Sequence, residues 1–137
     1  MKQRHSYTDL MYHLVFRTKE REPLIATKDH IDALLGCMKI KANQLDAQIL
    51  EFGGYFEHVH LLLRARPTVA LSALYGQLKG FSSHSWHREY SDLAFGWADG
   101  VWAKTVDPDN CEALRVYVRD QWSRHEQRES VAEWEPE

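Results

Sequence analysis

The chain is poor in cysteine and has no long apolar run. Cys37 and Cys111 are its only cysteines, far apart and outside any C-x-x-C pair. That excludes a disulfide framework and a cysteine-rich zinc site, and it leaves both as packing residues. No apolar stretch approaches the roughly 18–20 residues that cross a bilayer, and Met1-Lys2-Gln3-Arg4-His5 leads into no apolar signal-peptide core. A cytoplasmic protein with no membrane partner is therefore expected. A G-x-x-x-x-G-K-[ST] loop is also missing, so no nucleotide cofactor is expected. There is no low-complexity tract either. With 44% hydrophobic and 12% aromatic residues in 137, the composition suits one compact domain with a real core.

Acidic residues are missing from one region in particular. Between His58 and Arg88 there is no Asp or Glu, while Arg64, Arg66, Lys79 and Arg88 supply four positive charges. The net charge of −3 hides this, because Glu126 to Glu137 holds five Glu against one Arg and the remainder has 15 acidic and 16 basic residues. Residues 1–125 are read as the domain and 126–137 as an acidic C-terminal tail. The asymmetry permits a phosphate-binding face.

Periodicity sets the order of elements. Asp9 to Thr18, rich in aromatic and branched residues, reads as a strand, and Thr27 is a candidate N-cap for a helix to about Leu45 carrying Ile31, Leu34, Leu35, Met38, Ala42 and Leu45 at helical spacing. Ala47–Phe52 and Tyr55–Ala65 read as two strands joined at Gly53-Gly54, a dipeptide that favours a tight hairpin. A second helix is expected from about Val69 to Tyr90 and a short strand over Val101–Val106. Asp107-Pro108 then opens a third helix to about His125. The order strand, helix, strand, strand, helix, strand, helix predicts an α+β fold. Its expected form is a ferredoxin-like or RRM-like antiparallel sheet with helices mainly on one face and an added C-terminal helix.

Two features stand out against this frame. In His58-Val59-His60 the imidazoles sit two apart on a strand and project from the same face. Two neutral imidazoles side by side make half of a divalent-metal site, though packed or hydrogen-bonded histidines are the better explanation of the pair when it is taken alone. On the third helix the inward stripe is Leu114, Tyr117, Val118, Gln121, Trp122 and His125. Gln121 there buries an amide that costs about 1–3 kcal/mol if it finds no partner. Its carbonyl oxygen is a candidate metal ligand, and Tyr117 lies one turn earlier on the same face.

With these motifs in place, the sequence resembles the single-tyrosine HUH transposases, the small insertion-sequence enzymes that act on single-stranded DNA, with their repeat-associated relatives. The matching stretches are Tyr12-His-Leu-Val-Phe-Arg-Thr-Lys19, Gly53-Gly54 before Glu57-His-Val-His-Leu-Leu-Leu63, Leu78-Lys-Gly-Phe-Ser-Ser83, Phe95-Gly-Trp97 with Gly100, and Tyr117-Val-Arg-Asp-Gln121. Order and spacing hold from about residue 7 to 125. The resemblance implies Tyr117 as nucleophile, and His58, His60 and Gln121 as ligands of a divalent Mg²⁺ or Mn²⁺. It implies a homodimer in which one subunit's tyrosine helix can serve its partner's histidines, and hairpin-bearing ends of single-stranded DNA as substrate. Arg17, Lys19, Arg64, Arg66 and Lys79 are candidate phosphate contacts, and Tyr55, Phe81, Trp86, Trp97 and Trp102 are candidates for base stacking. The chain departs from the family pattern with Glu57 where many relatives have Asp, Ala98 and Val101 for Gln and Tyr, and Arg124-His125 for His-His.

A second reading is a cleavage-silent DNA- or RNA-binding module on the same scaffold. A two-histidine phosphoesterase would need a second H-x-[ST] motif, which none of the eight histidines begins.

Overall fold

The computed structural model describes residues 2–3 and 6–136. A short antiparallel pair, β1 (Lys2–Gln3) and β2 (Ser6–Tyr7), precedes the main body. There follow β3 (Leu10–Arg17), α1 (Lys28–Gln44), β4 (Ala47–Tyr55), β5 (His58–Ala65), α2 (Leu71–Tyr90), β6 (Trp102–Val106), α3 (Glu112–Arg119) and α4 (Gln121–Glu126). The four longer strands form one antiparallel sheet in the order β4-β5-β3-β6. This is the ferredoxin-like arrangement expected from the element order. Among the described residues no helix is long and apolar enough to cross a membrane.

The central position of β5 explains its almost unbroken apolar sequence, since a strand covered on both faces needs apolar side chains on each. Val59, Leu61, Leu63 and Ala65 face the main core with Leu14 and Phe16, under Ile31, Leu34 and Met38 of α1 and Leu74, Leu78 and Trp86 of α2. Helix α1 starts as its sequence indicates, with the Thr27 hydroxyl accepting from the His30 backbone N–H. On the opposite face, Leu62 and Met11 meet Cys111, Leu114 and Val118. That face carries His58 and His60, and α3 lies across it.

Two expectations need correction. The hairpin does not turn at Gly53-Gly54: β4 runs through both to Tyr55 and the chain reverses at Phe56-Glu57. The glycines serve close packing instead. A Cβ on Gly53 would fall on the Val118 carbonyl oxygen, and one on Gly54 would lie 2.7 Å from both the His58 carbonyl oxygen and the Ile31 Cδ1. The third helix is also not one rod. A 3₁₀ turn over Pro108–Asn110, capped by Asp107, precedes α3, and α3 and α4 part at Asp120 (φ −96°, ψ 20°). At that joint the Gln121 side-chain amide donates to the Tyr117 carbonyl at 3.1 Å.

Replacing Gly53 by alanine should force α3 off the sheet and destabilise the protein by about 2–3 kcal/mol or more. Gly36→Ala, inside α1 with open space around it, should stabilise by about 0.5–1 kcal/mol. Urea unfolding of the two variants beside the parent checks both signs.

Candidate active site

The β3–β5 register sets Val15 opposite His60 and Arg17 opposite His58, and Gly53 of β4 stands opposite His60 on the other side. Because Gly53 has no side chain, α3 approaches closely enough for Tyr117 and Gln121 to reach the histidine pair. Gln121 Oε1 lies 3.1 Å from His58 Nε2, and the Tyr117 ring meets the His60 ring edge-on at 5.8 Å between centroids. Tyr117, Gln121 and His60 are wholly buried and His58 nearly so. The four residues therefore meet within a single chain.

Three further residues belong to this centre. His125, one turn beyond Gln121, brings its Nε2 to 3.0 Å from Gln121 Oε1. His13 on β3 places Nε2 2.8 Å from His60 Nδ1. Glu135 comes from the acidic tail, which folds back over α3. At the end of α4, Arg128 adopts a left-handed conformation (φ 58°), and the Arg128 N–H to His125 carbonyl and Glu129 N–H to Arg124 carbonyl bonds reverse the chain. Trp134 then packs on the Tyr117 ring at 5.0 Å. The Glu135 carboxylate accepts from Tyr117 Oη at 2.7 Å, from His60 Nε2 at 3.1 Å and from His125 Nε2 at 3.2 Å. The Val131 N–H donates to the same tyrosine oxygen at 3.0 Å.

Of the missed residues, His125 was visible as a member of the helical stripe. His13 was not, because its face is set by pairing with a distant strand. Glu135 carried no local signal, since its place depends on the reversal at Arg128.

The electrostatics follow from burial and from this carboxylate. Burial lowers His60 to about 4, outweighing the Glu135 hydrogen bond, and burial with the neighbouring His60 takes His13 down to about 3. Burial would lower His58 too, but the Glu57 hydrogen bond and the Glu135 charge hold it above the ordinary histidine value. Burial and the Glu135 bond push Tyr117 up to about 12. Glu135, despite burial that would raise it, is kept far below the usual carboxylate range by the bonds from His125, His60 and Tyr117.

The donor set fits a divalent cation. His58 Nδ1 donates to Glu57 Oε1 at 2.7 Å, so its Nε2 faces Gln121 Oε1 with a proton or another cation required between them. Ligand atoms of His58, His125 and Glu135 lie within 4.8 Å of one another. Imidazole nitrogens with amide and carboxylate oxygens suit Mn²⁺ and, with water, Mg²⁺.

The candidate phosphate contacts are spread out. Arg17 lines an open cleft with Glu57, His58, His125 and Glu135. Lys19 and Lys79 line a different one with Ser83 and Trp97, and Lys79 donates to the Ala98 and Gly100 carbonyls at 2.6 and 2.8 Å. Arg64 donates to Asp9 at 2.7 Å, while Arg66 lies 3.8 Å from Asp46 on the surface. Among the aromatic candidates, Tyr55 stacks on His125 beside the centre and Trp102 stands edge-on to His13. Phe81 lies beneath the Lys41 ammonium, Trp86 is buried on Phe95, and Trp97 donates to Ser82.

Acidification should destabilise the protein. Below about 6.5 the histidines of the unfolded chain take up protons that His13 and His60 refuse when folded, and Glu135 adds a loss of the same sign at lower pH. His58, raised, opposes this with stability that is present below about 6.5 and lost as pH rises through its folded value. Two lowered histidines and a lowered carboxylate outweigh it. The melting temperature is expected to fall between pH 7 and 4, and to fall less in His13→Phe.

Comparison with known proteins agrees with the fold. The profile described as "Transposase IS200 like" matches residues 6–121. The transposases for insertion sequence element IS200 of Salmonella typhimurium and Salmonella typhi are each 25% identical over 134 residues, 93% of this chain and 87% of theirs. A candidate transposase from Deinococcus radiodurans R1 shares the fold with a TM-score of 0.72 at 23% identity, over 89% of this chain and 98% of its own. A REP-associated tyrosine transposase, solved bound to a REP hairpin, gives 0.63 at 12% identity over 91% and 74%. A profile match across most of the chain, on the fold just described, places this protein in the IS200-like transposase family.

Proposed function

We propose that this transposase cleaves and rejoins single-stranded DNA through a 5′-phosphotyrosine on Tyr117. The observation that carries this reading is the meeting of the Tyr117 hydroxyl and the His58 and His60 Nε2 atoms around one partly buried anion, the Glu135 carboxylate, with Gln121 Oε1 beside His58 Nε2. A carboxylate held by a phenol and imidazoles stands where a phosphodiester would be held. His58, His60 and Gln121 would bind Mg²⁺ or Mn²⁺. That ion, when bound, supplies positive charge to a non-bridging phosphate oxygen and to the charge that builds up at phosphorus.

The chain's own groups account for the rest. Tyr117 Oη, freed of its proton, attacks phosphorus; the new O–P bond forms as the bond to the 3′ oxygen breaks, and that oxygen leaves as a 3′-OH after taking up a proton. Attack by a 3′-OH on the phosphotyrosine reverses the exchange, so no outside energy source is needed. Gln121 and Gly53 hold the tyrosine helix against the histidines, burial keeps water away from the ester, and Arg17 lines the cleft by which a strand's phosphates would enter. The relative solved with a REP hairpin supports hairpin-bearing DNA as the substrate. The family resemblance supports a homodimer, although the described centre is complete within one chain.

Incubation with hairpin-bearing single-stranded DNA and Mn²⁺ should give a covalent adduct on a denaturing gel. Tyr117→Phe should abolish it and His58→Ala should cut it at least a hundredfold. No adduct on any such strand would favour the cleavage-silent binding module, a reading supported by the way Glu135 and Val131 cap the tyrosine.

Glu135 must leave before a phosphate can enter. A chain ending at Gln127 is therefore expected to form adduct faster, by about tenfold for each 1.4 kcal/mol that the tail contributes. Equal initial rates for the short and full chains would show that the tail leaves freely.

A further inference from the structure

His58 and His60 have different second partners. His58 Nδ1 faces Glu57 Oε1 at 2.7 Å, and an ionised carboxylate only accepts, so His58 keeps its Nδ1 proton whatever stands at Nε2. His60 Nδ1 faces another imidazole, His13 Nε2, at 2.8 Å. Both rings are buried, at 0% and 1% exposure, and they stack with 5.1 Å between centroids. A neutral imidazole nitrogen either donates or accepts, according to its tautomer.

The described arrangement selects one of these. His60 Nε2 lies 3.1 Å from both Glu135 oxygens, so it carries the proton that the carboxylate accepts. His60 Nδ1 is then bare and accepts from His13 Nε2–H. A metal at His60 Nε2 requires the reverse: Nε2 bare, Nδ1 protonated and donating, and His13 Nε2 accepting. A carboxylate or carbonyl in place of His13 would serve only the second state.

From this we infer that His13 is a positioning residue whose ring changes tautomer together with His60, so that one histidine serves both the tail-bound and the metal-bound site. The inference rests on the metal site proposed above. The pair holds two protons in each state: one on each Nε2 when the tail is bound, and one on each Nδ1 when metal is bound. In the exchange a proton leaves at His60 Nε2, His13 passes its Nε2 proton to His60 Nδ1, and another enters at His13 Nδ1. Trp102, edge-on to His13 at 4.8 Å, keeps that ring in place on its other side.

Long-range proton–nitrogen NMR of the ¹⁵N-histidine-labelled full chain reads this directly, without and with saturating Mg²⁺. His60 and His13 are expected to be protonated at Nε2 without the ion and at Nδ1 with it, while His58 Nδ1 stays protonated throughout. A companion titration follows Mn²⁺ binding. His13→Phe, of similar bulk and with no ring nitrogen, should weaken it ten- to a hundredfold, and His13→Gln, which offers both a donor and an acceptor, should bind within a few-fold of the parent. Should Mg²⁺ leave the His58 and His60 signals unmoved, the metal site itself fails and this inference with it. Signals that move without protonation of His60 Nδ1, or unchanged Mn²⁺ affinity in a folded His13→Phe, overturn the role of His13 alone. If His13→Phe does not fold, the NMR on the parent chain still decides.

Discussion

The close approach of a helix to a strand at Gly53 is the constraint on which the rest of this structure depends. With a hydrogen in place of a side chain, the Val118 carbonyl rests against β4, and α3 sits low on the sheet beside β5. Tyr117 lies in the last turn of α3 and Gln121 opens α4 just past the joint at Asp120, so the one close approach delivers both to the histidines. A helix held farther off would still bury Leu114 and Val118, but its polar groups would no longer reach His58 and His60. Backbone packing, more than any single side-chain bond, sets the geometry of the centre.

Much of the fold was legible because its signals are local. The two-residue period around His58 and the helical spacing from Ile31 to Leu45 each report a face, and a face is most of what a small sheet-and-helix domain needs. The glycine pair misled for a physical reason: glycine marks both tight turns and tight contacts, and only the neighbouring helix decides between them. The break at Asp120 was hidden because the hydrophobic stripe continues across it in phase. The family resemblance brought Tyr117, His58, His60 and Gln121 together as a set, and in the fold those four residues lie side by side. His13 sits in a stretch that carries the resemblance, but its role appears only with its partner 47 residues away, and Glu135 lay beyond either kind of reading because the reversal at Arg128 sets its place.

The charge distribution gains a second meaning in three dimensions. The stretch without acidic residues runs through β5 and most of α2, so β5 itself sets no carboxylate beside its two histidines after Glu57. The negative charge at the centre comes from the tail. Histidines whose proton affinity burial lowers, and one whose affinity Glu57 and Glu135 raise, make a basin whose potential depends on which anion fills it.

The reversal at Arg128 ties that anion to the basin by a leash of only a few residues. A tethered carboxylate is present at an effective concentration on the order of millimolar, whatever the dilution of the protein. Rivalry between it and an incoming polyanion is thus set by the length and stiffness of residues 128–134 and by the abundance of the rival alone. Scarce single strands would find the door shut in a dilute cell and in a concentrated tube alike.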